Sequence, residues 1–311
     1  VLRIAEVPTP EPGDQDLVVR VHATTVNRTD CGALAGAPYV FRFFVGWPSP
    51  RHVTTGTDFA GEVTAVGRGV SRFKVGDRVM GFDDNNLGSH AEYVRVPKGR
   101  AVVKIPEGVS YEEAAASMEG AHYARNFLRV VPLQAGDPVL VYGATGAIGS
   151  AALALLKAAD AQITAVCASP HLDMIQRLGA HRVIDYTTRP FVEQLRGERF
   201  AFVFDAVGKS TFGVCRALLR DDGAYVSSEL GPWGQNLFYA LLAPLMRGPK
   251  VRFPLPIDIP RSLELVTSLL ASGNYRPLID PNRYTLEGIR DAFAYVASGQ
   301  KLGNVLLLPN G

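Results

Sequence analysis

The chain has 311 residues, 47% hydrophobic and 20% charged; 32 Lys and Arg nearly balance 30 Asp and Glu, leaving a net charge of +2. This is the composition of a globular protein of about two domains. It offers no positive field for nucleic acid or an anionic membrane, and no apolar run long enough to span a bilayer. Cys31, Cys167 and Cys215 are isolated, with no C-x-x-C pair. That argues against a disulfide framework or a cysteine-rich zinc lobe and predicts a reducing, cytoplasmic setting. No signal-peptide pattern opens the chain. It begins at Val1 and not at Met, so a short N-terminal piece is expected to precede it.

Residues 1–110 read as β-rich. Asp16 to Val26 (DLVVRVHATTV) and Gly61 to Val70 (GEVTAVGRGV) run apolar or alternate with β-branched residues. Phe73 to Phe82 and His90 to Pro106 continue as short strands between turn residues. Gly36 to His52 (GAPYVFRFFVGWPSPRH) is rich in aromatics. It reads either as a wall for a flat apolar substrate, with Tyr39 and Trp47 as contacts, or as core of this domain. From about Tyr111 the texture changes. A helical run, Tyr111 to Val130, precedes PVLVYG; helical stretches then alternate with QITAVC, HRVIDY, FAFVFDAVG, GAYVSSELG and KVRFPLP. Short apolar strands alternating with helices predict βαβ units and a doubly wound parallel sheet. Glu229 to Leu245 (ELGPWGQNLFYALLAPL) reads as a mobile cover or a subunit contact. KVRFPLP, ended by Pro254 and Pro256, is a candidate edge for pairing two sheets across a dimer axis. The chain closes helix, loop, helix, strand with SLELVTSLLASG, LEGIRDAFAYVASG and NVLLLP.

Val139 to Lys157 (VLVYGATGAIGSAALALLK) packs three glycines into seven residues between an apolar strand and an Ala/Leu-rich helix. Inside a helix Gly costs about 1 kcal/mol against Ala, so so bare a backbone needs a reason. Read as A-x-G-x-x-G, the stretch offers Ala144, Gly146 and Gly149. Gly143 and Gly146 allow a sharp turn and close approach of a ligand, Gly149 lets helix lie against strand, and Thr145, Ala147 and Ile148 complete the loop. A helix N-terminus there presents free N–H groups to a pyrophosphate. The plainer reading is a Gly-rich turn in an α/β core; its place at the first strand of the series favours the dinucleotide. QITAVC ends at Cys167 and is followed by Ala168-Ser169-Pro170-His171, with no carboxylate until Asp173. Ser169 and His171 can donate to a 2′-phosphate and Tyr186 can close the pocket, which favours NADP(H) over NAD(H). The alternative is a Ser-Pro helix start. Asp205, Ala206 and Val207, and Ser227, Ser228 and Glu229, end later strands and fall at the same crevice.

Taken in order, VHATTVNRTD, GTDFAGEVTAVGRGVSRFKVGDRVMGF, GATGAIGSAA, LGAHRVIDYT, FDAVGKSTF and GQKLGNVLL resemble the medium-chain dehydrogenase/reductase superfamily over nearly the whole chain. Within it they are most similar to the zinc-free, quinone oxidoreductase-like branch. The resemblance implies an α/β protein: a β-rich GroES-like catalytic domain (1–112 and 257–311) and an NADP-binding Rossmann domain (113–256). Only the first strand that such proteins carry is missing before Val1. Zinc alcohol dehydrogenases of the superfamily have Cys where this chain has Asn27 and His-Glu where it has Thr57-Asp58. They also have a four-cysteine loop where it runs MGFDDNNLGSHAEYV. A zinc site needs three or four N/S ligands, so no metal is expected.

Without a metal to generate an alkoxide, hydride transfer suits an acceptor that delocalises its own charge, a quinone or an α,β-unsaturated carbonyl. The protein then supplies orientation and donors to the developing oxyanion. The resemblance places Asn27 near the nicotinamide as such a donor; its other reading is a turn cap before Thr29-Asp30. His122 and Tyr123, in EGAHYAR, depart from a small-Thr-Ala stretch of the relatives. Each is either a proton donor or a buried helix residue with a satisfied polar tip. Gly303 and Asn304 are implied at the carboxamide. The expectation is a homodimeric, zinc-independent, NADPH-dependent reductase of small quinones or enones, without nucleic-acid or membrane partners. The alternative is an NADP-binding protein with little turnover, a scaffold or redox-responsive partner; a metal-dependent alcohol dehydrogenase fits poorly.

Overall fold

Two kinds of hydrophobic pattern in the chain build two sheets. The computed structural model describes residues 2–36, 54–245 and 247–310. It divides into two compact units, Val1–Glu119 with Asp258–Gly311, and Gly120–Ile257.

In the first unit β1 (Leu17–Val26) is the organising strand, buried along most of its length. It pairs antiparallel with β2 (Asp58–Val66), β4 (Tyr93–Val96) and β13 (Asn304–Leu307). The sheet continues through β3 (Arg78–Phe82) to β5 (Ala101–Lys104) on one side and through β13 to β12 (Ile279–Tyr284) on the other. Irregular register between Val18 and Val19 and between Val21 and Ala23 coils β1, as bulges do. Its end, Thr24–Val26, thereby passes to β13. Val19, Val21, Phe59, Val63 and Val79 form the core beneath. Helices α1 (Arg28–Ala35) and α2 (Tyr111–Ala116) belong to this unit.

The observed strands are shorter than the apolar runs suggested, because backbone carbonyls and carboxylates close the turns between them. β2 stops at Val66, where Gly67 and Gly69 donate back to the carbonyls of Asp16 and Asp14. Lys74 to Asp77 is a turn, with the Asp77 carboxylate accepting from the Lys74 N–H at 3.0 Å. The run from His90 to Pro106 is split into β4 and β5 by a turn at Pro97–Arg100. β12, IDPNRY, was not expected. Its Pro281 and charged residues hide it, and it survives by pairing on one side only, parallel to β13, where proline is tolerated.

The second unit is the doubly wound parallel sheet. Its strands are β6 (Pro138–Tyr142), β7 (Gln162–Cys167), β8 (Arg182–Asp185), β9 (Phe200–Asp205), β10 (Leu219–Ser227) and β11 (Lys250–Arg252), ordered β8-β7-β6-β9-β10-β11. All pairings are parallel. Apolar residues on both faces, such as Val139, Val141, Phe202 and Phe204 on one and Leu140, Val203 and Tyr225 on the other, make two cores. The chain reverses direction across the sheet between β6 and β9, the crevice at which such sheets bind ligands. The helical run from Tyr111 is two helices, α2 and α3 (Met118–Arg129). They are broken at Ser117, whose hydroxyl donates to the Ala114 carbonyl.

Candidate functional site

In the Rossmann unit, β6 leads through Gly143 to Gly146 into α4 (Ala147–Ala158). Gly143 has φ +82, and a Cβ on it would lie 2.5 Å from Val207 Cγ1. A Cβ on Gly149 would lie 2.2 Å from the Gly143 carbonyl oxygen and 2.9 Å from Ala144 Cα. A Cβ on Gly120, in α3, would lie 2.6 Å from the Ala147 carbonyl oxygen. Gly143 and Gly149 are thus required by packing, which brings loop, helix and the β9 loop together. Gly146 is different. A Cβ there would meet nothing closer than 3.5 Å, and the residue caps α4 with no side-chain hydrogen bond. The first N–H groups of α4 therefore lack the side-chain acceptor that usually satisfies them. Bare backbone, free N–H groups and the positive helix end fit the pyrophosphate of a dinucleotide. Ala144 and Ala147 are buried beside them, with Thr145 and Ile148 half-buried.

The ends of the neighbouring strands are tightly tied. Asp205 is fully buried, and its carboxylate accepts from the N–H groups of Val207 (3.2 Å), Gly208 (2.8 Å) and Ser210 (3.0 Å) and from the Tyr225 hydroxyl (2.7 Å). It therefore shapes the loop that carries Ala206 and Val207. Ser227 Oγ accepts from the Glu229 N–H at 3.3 Å, next to half-buried Ser228. Cys167 ends β7 with its thiol pushed up to about 11 by burial. Ser169 and His171 form a 3₁₀ turn after β7. The Ser169 hydroxyl donates to Asp185 Oδ2 at 2.5 Å and lies 2.6 Å from Thr187 Oγ1. Hydrogen bonds from Ser169 and Thr187 hold the Asp185 carboxyl below its usual range, so it is charged. The sequence reading missed Asp185, because a carboxylate ending β8 meets Ser169 only through sheet pairing. Tyr186 is about half exposed, its ring 6.4 Å from that of Tyr142. On α3, His122 is buried with its ring 5.7 Å from half-buried Tyr123 at 78°, and its carbonyl accepts from Asn126 Nδ2 at 2.9 Å.

In the first unit Asn27 has two jobs. Its Oδ1 accepts from the Asp30 N–H at 2.8 Å while Asp30 Oδ2 accepts from the Asn27 N–H at 3.1 Å, a reciprocal cap that starts α1. Its Nδ2 donates to Thr57 Oγ1 at 2.7 Å. Around this pair lies a buried polar cluster that the sequence reading did not assemble. Asp58 accepts from the Thr25 N–H at 2.7 Å and the Thr24 hydroxyl at 3.1 Å, and it also bonds the Thr25 hydroxyl. Glu119 accepts from Thr29 Oγ1 at 2.7 Å. Burial pushes Asp30 and Asp58 up to about 7 and Glu119 to about 8, with Asp30 adding to the rise at Asp58 and both adding to that at Glu119. His90 is pushed down to about 4 by burial and is neutral. Since the Thr25 carbonyl 2.9 Å from Nε2 can only accept, Nε2 carries the proton and Nδ1 accepts from the Thr55 hydroxyl at 2.7 Å. Burial also lowers Lys301, whose ammonium donates to the Gly303 carbonyl. Gly303 has φ +56, and Asn304 Nδ2 donates to the Leu278 carbonyl at 2.9 Å, which commits that amide to the fold. Tyr39 and Trp47 lie outside the described residues. Among the described residues no group of three or more His, Cys, Asp or Glu side chains is arranged to hold a metal ion, and no helix is long and apolar enough to cross a membrane.

Comparison with known proteins gives matches along most of the chain. Residues 13–107 match the family described as alcohol dehydrogenase GroES-like domain, and residues 178–307 match that described as zinc-binding dehydrogenase. The chain is 29% identical over 323 residues to the quinone oxidoreductase of Pseudomonas aeruginosa, covering 99% of this chain and 96% of that protein. It is 31% identical over 314 residues to a mycocerosic acid synthase-like polyketide synthase of Mycobacterium tuberculosis; this covers 95% of the chain but spans only 14% of that much longer protein. The solved structure of Escherichia coli quinone oxidoreductase complexed with NADPH matches with a TM-score of 0.80 and 25% identity, covering 98% of this chain and 95% of that one.

Proposed function

This chain belongs to the medium-chain dehydrogenase/reductase superfamily, in its quinone oxidoreductase-like branch, and from that premise we propose an NADP(H)-dependent, metal-independent reductase of quinones or α,β-unsaturated carbonyls. That it is an oxidoreductase follows from the family; the cofactor preference and substrate class are proposed. The observation that carries it is the bare Gly143–Gly149 turn on the uncapped end of α4. When bound, the dinucleotide supplies the hydride.

The chain's own groups do the rest. The α4 N–H groups bind the pyrophosphate, and the Gly143 and Gly146 backbone lets it approach. Ala206, Val207, Ser227 and Ser228 line the crevice beside it, and Gly303 and Asn304 present backbone to the carboxamide. Asn27 acts on the substrate through Thr57: its Nδ2 occupies an acceptor site of the hydroxyl, leaving the Thr57 proton to donate to the oxygen on which charge develops. Glu119, held neutral near physiological pH by burial, keeps a proton on Oε2 while Thr29 donates to Oε1. That is the property needed of a general acid for the second half of the reduction, and Glu119 joins His122 and Tyr123 as a candidate for the role.

Two copies pairing along the open backbone edge of β11 and a reducing, cytoplasmic setting for its unpaired cysteines complete the reading. Light scattering tests the first.

The deciding experiment follows NADPH and NADH oxidation against a panel of quinones and enones, with and without chelator. NADPH-dependent turnover that survives chelation is expected. Loss on chelation with recovery on adding zinc would overturn the metal-independent mechanism. Tight dinucleotide binding with no acceptor reduced would leave the non-catalytic, scaffold reading. One observation favours a second cofactor assignment, NAD(H): the charged Asp185 carboxylate already holds Ser169 and would repel a 2′-phosphate there.

A further inference from the structure

In the first unit Asn27 and Thr57 sit side by side on two segments, and a single side chain bridges those segments just upstream. Two residues before Asn27 is Thr25, and two before Thr57 is Thr55. The buried ring of His90 lies between these two threonines. Its Nε2 donates to the Thr25 carbonyl at 2.9 Å, and its Nδ1 accepts from the Thr55 hydroxyl at 2.7 Å. The ring therefore joins the chains leading into the pair at the same remove on each side. Its plane is set in turn by Phe293, whose ring stands edge-on at 90° with centroids 5.8 Å apart.

Neither segment has slack elsewhere. Thr25 gives its N–H to Asp58 at 2.7 Å and its hydroxyl to the same carboxylate, so with its carbonyl on His90 every polar group it has is engaged. The carbonyls of residues 54–57 each accept from the 83–90 loop. Thr54 takes Asn86 Nδ2 (2.7 Å), Thr55 the His90 N–H (3.0 Å), Gly56 the N–H groups of Leu87 (2.9 Å) and Gly88 (3.0 Å), and Thr57 that of Asp83 (2.8 Å). These bonds shape the segment without tying it to β1. The ties to β1 bracket Thr57: Asp58 reaches Thr25 directly on one side of it, and Thr55 reaches Thr25 through His90 on the other. An apolar ring would fill the same space without the cost of burying polar atoms. What the neutral imidazole alone supplies is a donor and an acceptor at fixed separation on one rigid ring.

We propose that His90 is the positioning residue of the Asn27–Thr57 pair, its ring setting the distance between the two segments and hence the direction in which the Thr57 hydroxyl presents its proton. This rests on the reading of Thr57 as donor to the substrate oxygen; His90 itself touches no substrate. A misplacement of about 1 Å at such a group can cost about a hundredfold in rate. Loss of the bridge should therefore act on turnover and leave dinucleotide affinity, which resides at the Gly143–Gly149 turn, unchanged.

The test uses three variants of the full chain. His90→Phe keeps a ring without nitrogens, and His90→Gln keeps an amide that can still donate to Thr25. Thr55→Val removes only the hydroxyl and is the milder change should His90→Phe fail to fold. One readout needs no activity: solvent exchange of the Asn27 side-chain amide protons, with those of Asn304 as reference, since Asn304 is also buried and donates through Nδ2 in this unit. Exchange at Asn27 should rise about tenfold in His90→Phe and Thr55→Val, the effect of one lost hydrogen bond, and less in His90→Gln, while Asn304 stays unchanged. The second readout is reduction of menadione by NADPH. Its kcat should fall about tenfold to a hundredfold with dinucleotide affinity unchanged, and in a Thr57→Val background His90→Phe should cost nothing further. Wild-type protein that reduces no acceptor would refute the hydride-transfer reading, and the amide readout would still decide the bridge. Unchanged exchange at Asn27, an equal rise at Asn304, or a full additive loss in the double variant overturns the proposal.

Discussion

Gly149→Ala tests the dinucleotide cradle most directly, because two effects of opposite sign meet at one atom. Within α4 the substitution should gain about 1 kcal/mol of helix propensity. Against that, the new Cβ would sit 2.2 Å from the Gly143 carbonyl oxygen and 2.9 Å from Gly143 C and Ala144 Cα. All three are backbone atoms that cannot rotate away. Gly143 itself is trapped, since its φ is +82 and Val207 fills the space where its side chain would be. Overpacking of this kind costs about 1–3 kcal/mol, so packing outweighs propensity and the net destabilisation reaches about 2 kcal/mol. For a unit of this size that lowers Tm by a few degrees, at about 2–4 °C per kcal/mol or somewhat more. Separation of the turn from the helix also removes at least one N–H bond to phosphate, worth about 1.5–3 kcal/mol, which is about a ten- to hundredfold loss of dinucleotide affinity. Gly146→Ala is the control. Its Cβ meets nothing closer than 3.5 Å and its φ is −78, so it should cost only the Gly-to-Ala difference at a cap, about 0.5–1 kcal/mol, while its methyl obstructs the ligand. Thermal melts and fluorescence titration with NADPH separate the two. If Gly149→Ala retained both Tm and affinity, or if Gly146→Ala proved the more damaging to the fold, the packing argument for this motif would fail.

The buried carboxyls make stability pH-dependent with a definite sign. With folded values near 7 for Asp30 and Asp58 and near 8 for Glu119, against ordinary values of 3.8 and 4.5, the folded state keeps protons that the unfolded chain releases. Their stabilisation is complete below the ordinary values and is lost as pH rises through 7 to 8. His90, pushed from 6.5 to about 4, works oppositely, its contribution present above 6.5 and lost as the pH falls towards 4. The urea midpoint should therefore decline from about pH 4 to about pH 8 and level off above that, and Asp58→Asn should flatten the decline; an equally steep fall in the variant would show that Asp58 is already ionised. Tyr225→Phe removes the 2.7 Å bond to buried Asp205 and should cost about 1–3 kcal/mol, read as a lower Tm; an unchanged melt would mean that the backbone donors alone satisfy the carboxylate. Asp185→Asn removes the charge beside Ser169 and should shift the ratio of NADPH to NADH affinity towards NADPH several-fold. A constant ratio in direct titrations would dissociate the Ser169 cluster from the adenosine end of the cofactor.

What could be seen in the chain beforehand follows from how far each signal reaches. The parallel sheet was legible because β6, β7 and β9 are buried on both faces and so appear as unbroken apolar runs, a pattern carried by adjacent residues. The strand ends of the first unit were not, since they depend on single carboxylates such as Asp16 and Asp77 capturing backbone N–H groups. The buried acids escaped for a related reason. Asp58, Asp30 and Glu119 look like ordinary surface charges until three distant segments converge, and only the N-x-x-D spacing of Asn27 and Asp30 advertised itself locally. Asn27 illustrates how one side chain can serve two partners. Helix cap and donor to the substrate oxygen were posed as alternatives; the carbonyl end of the amide performs the first, and the nitrogen end donates to Thr57. The amide's fixed geometry couples them: the cap orients the plane, so the direction in which Nδ2 points is set by the start of α1. The same logic limits Ser169. Its hydroxyl has one proton, and Asp185, brought alongside by the pairing of β7 with β8, already receives it. On the proposed reading, a phosphate at that position must either displace the carboxylate or accept from a different donor, and the proposal puts the choice between the two dinucleotides in this competition, which no local window of sequence reveals.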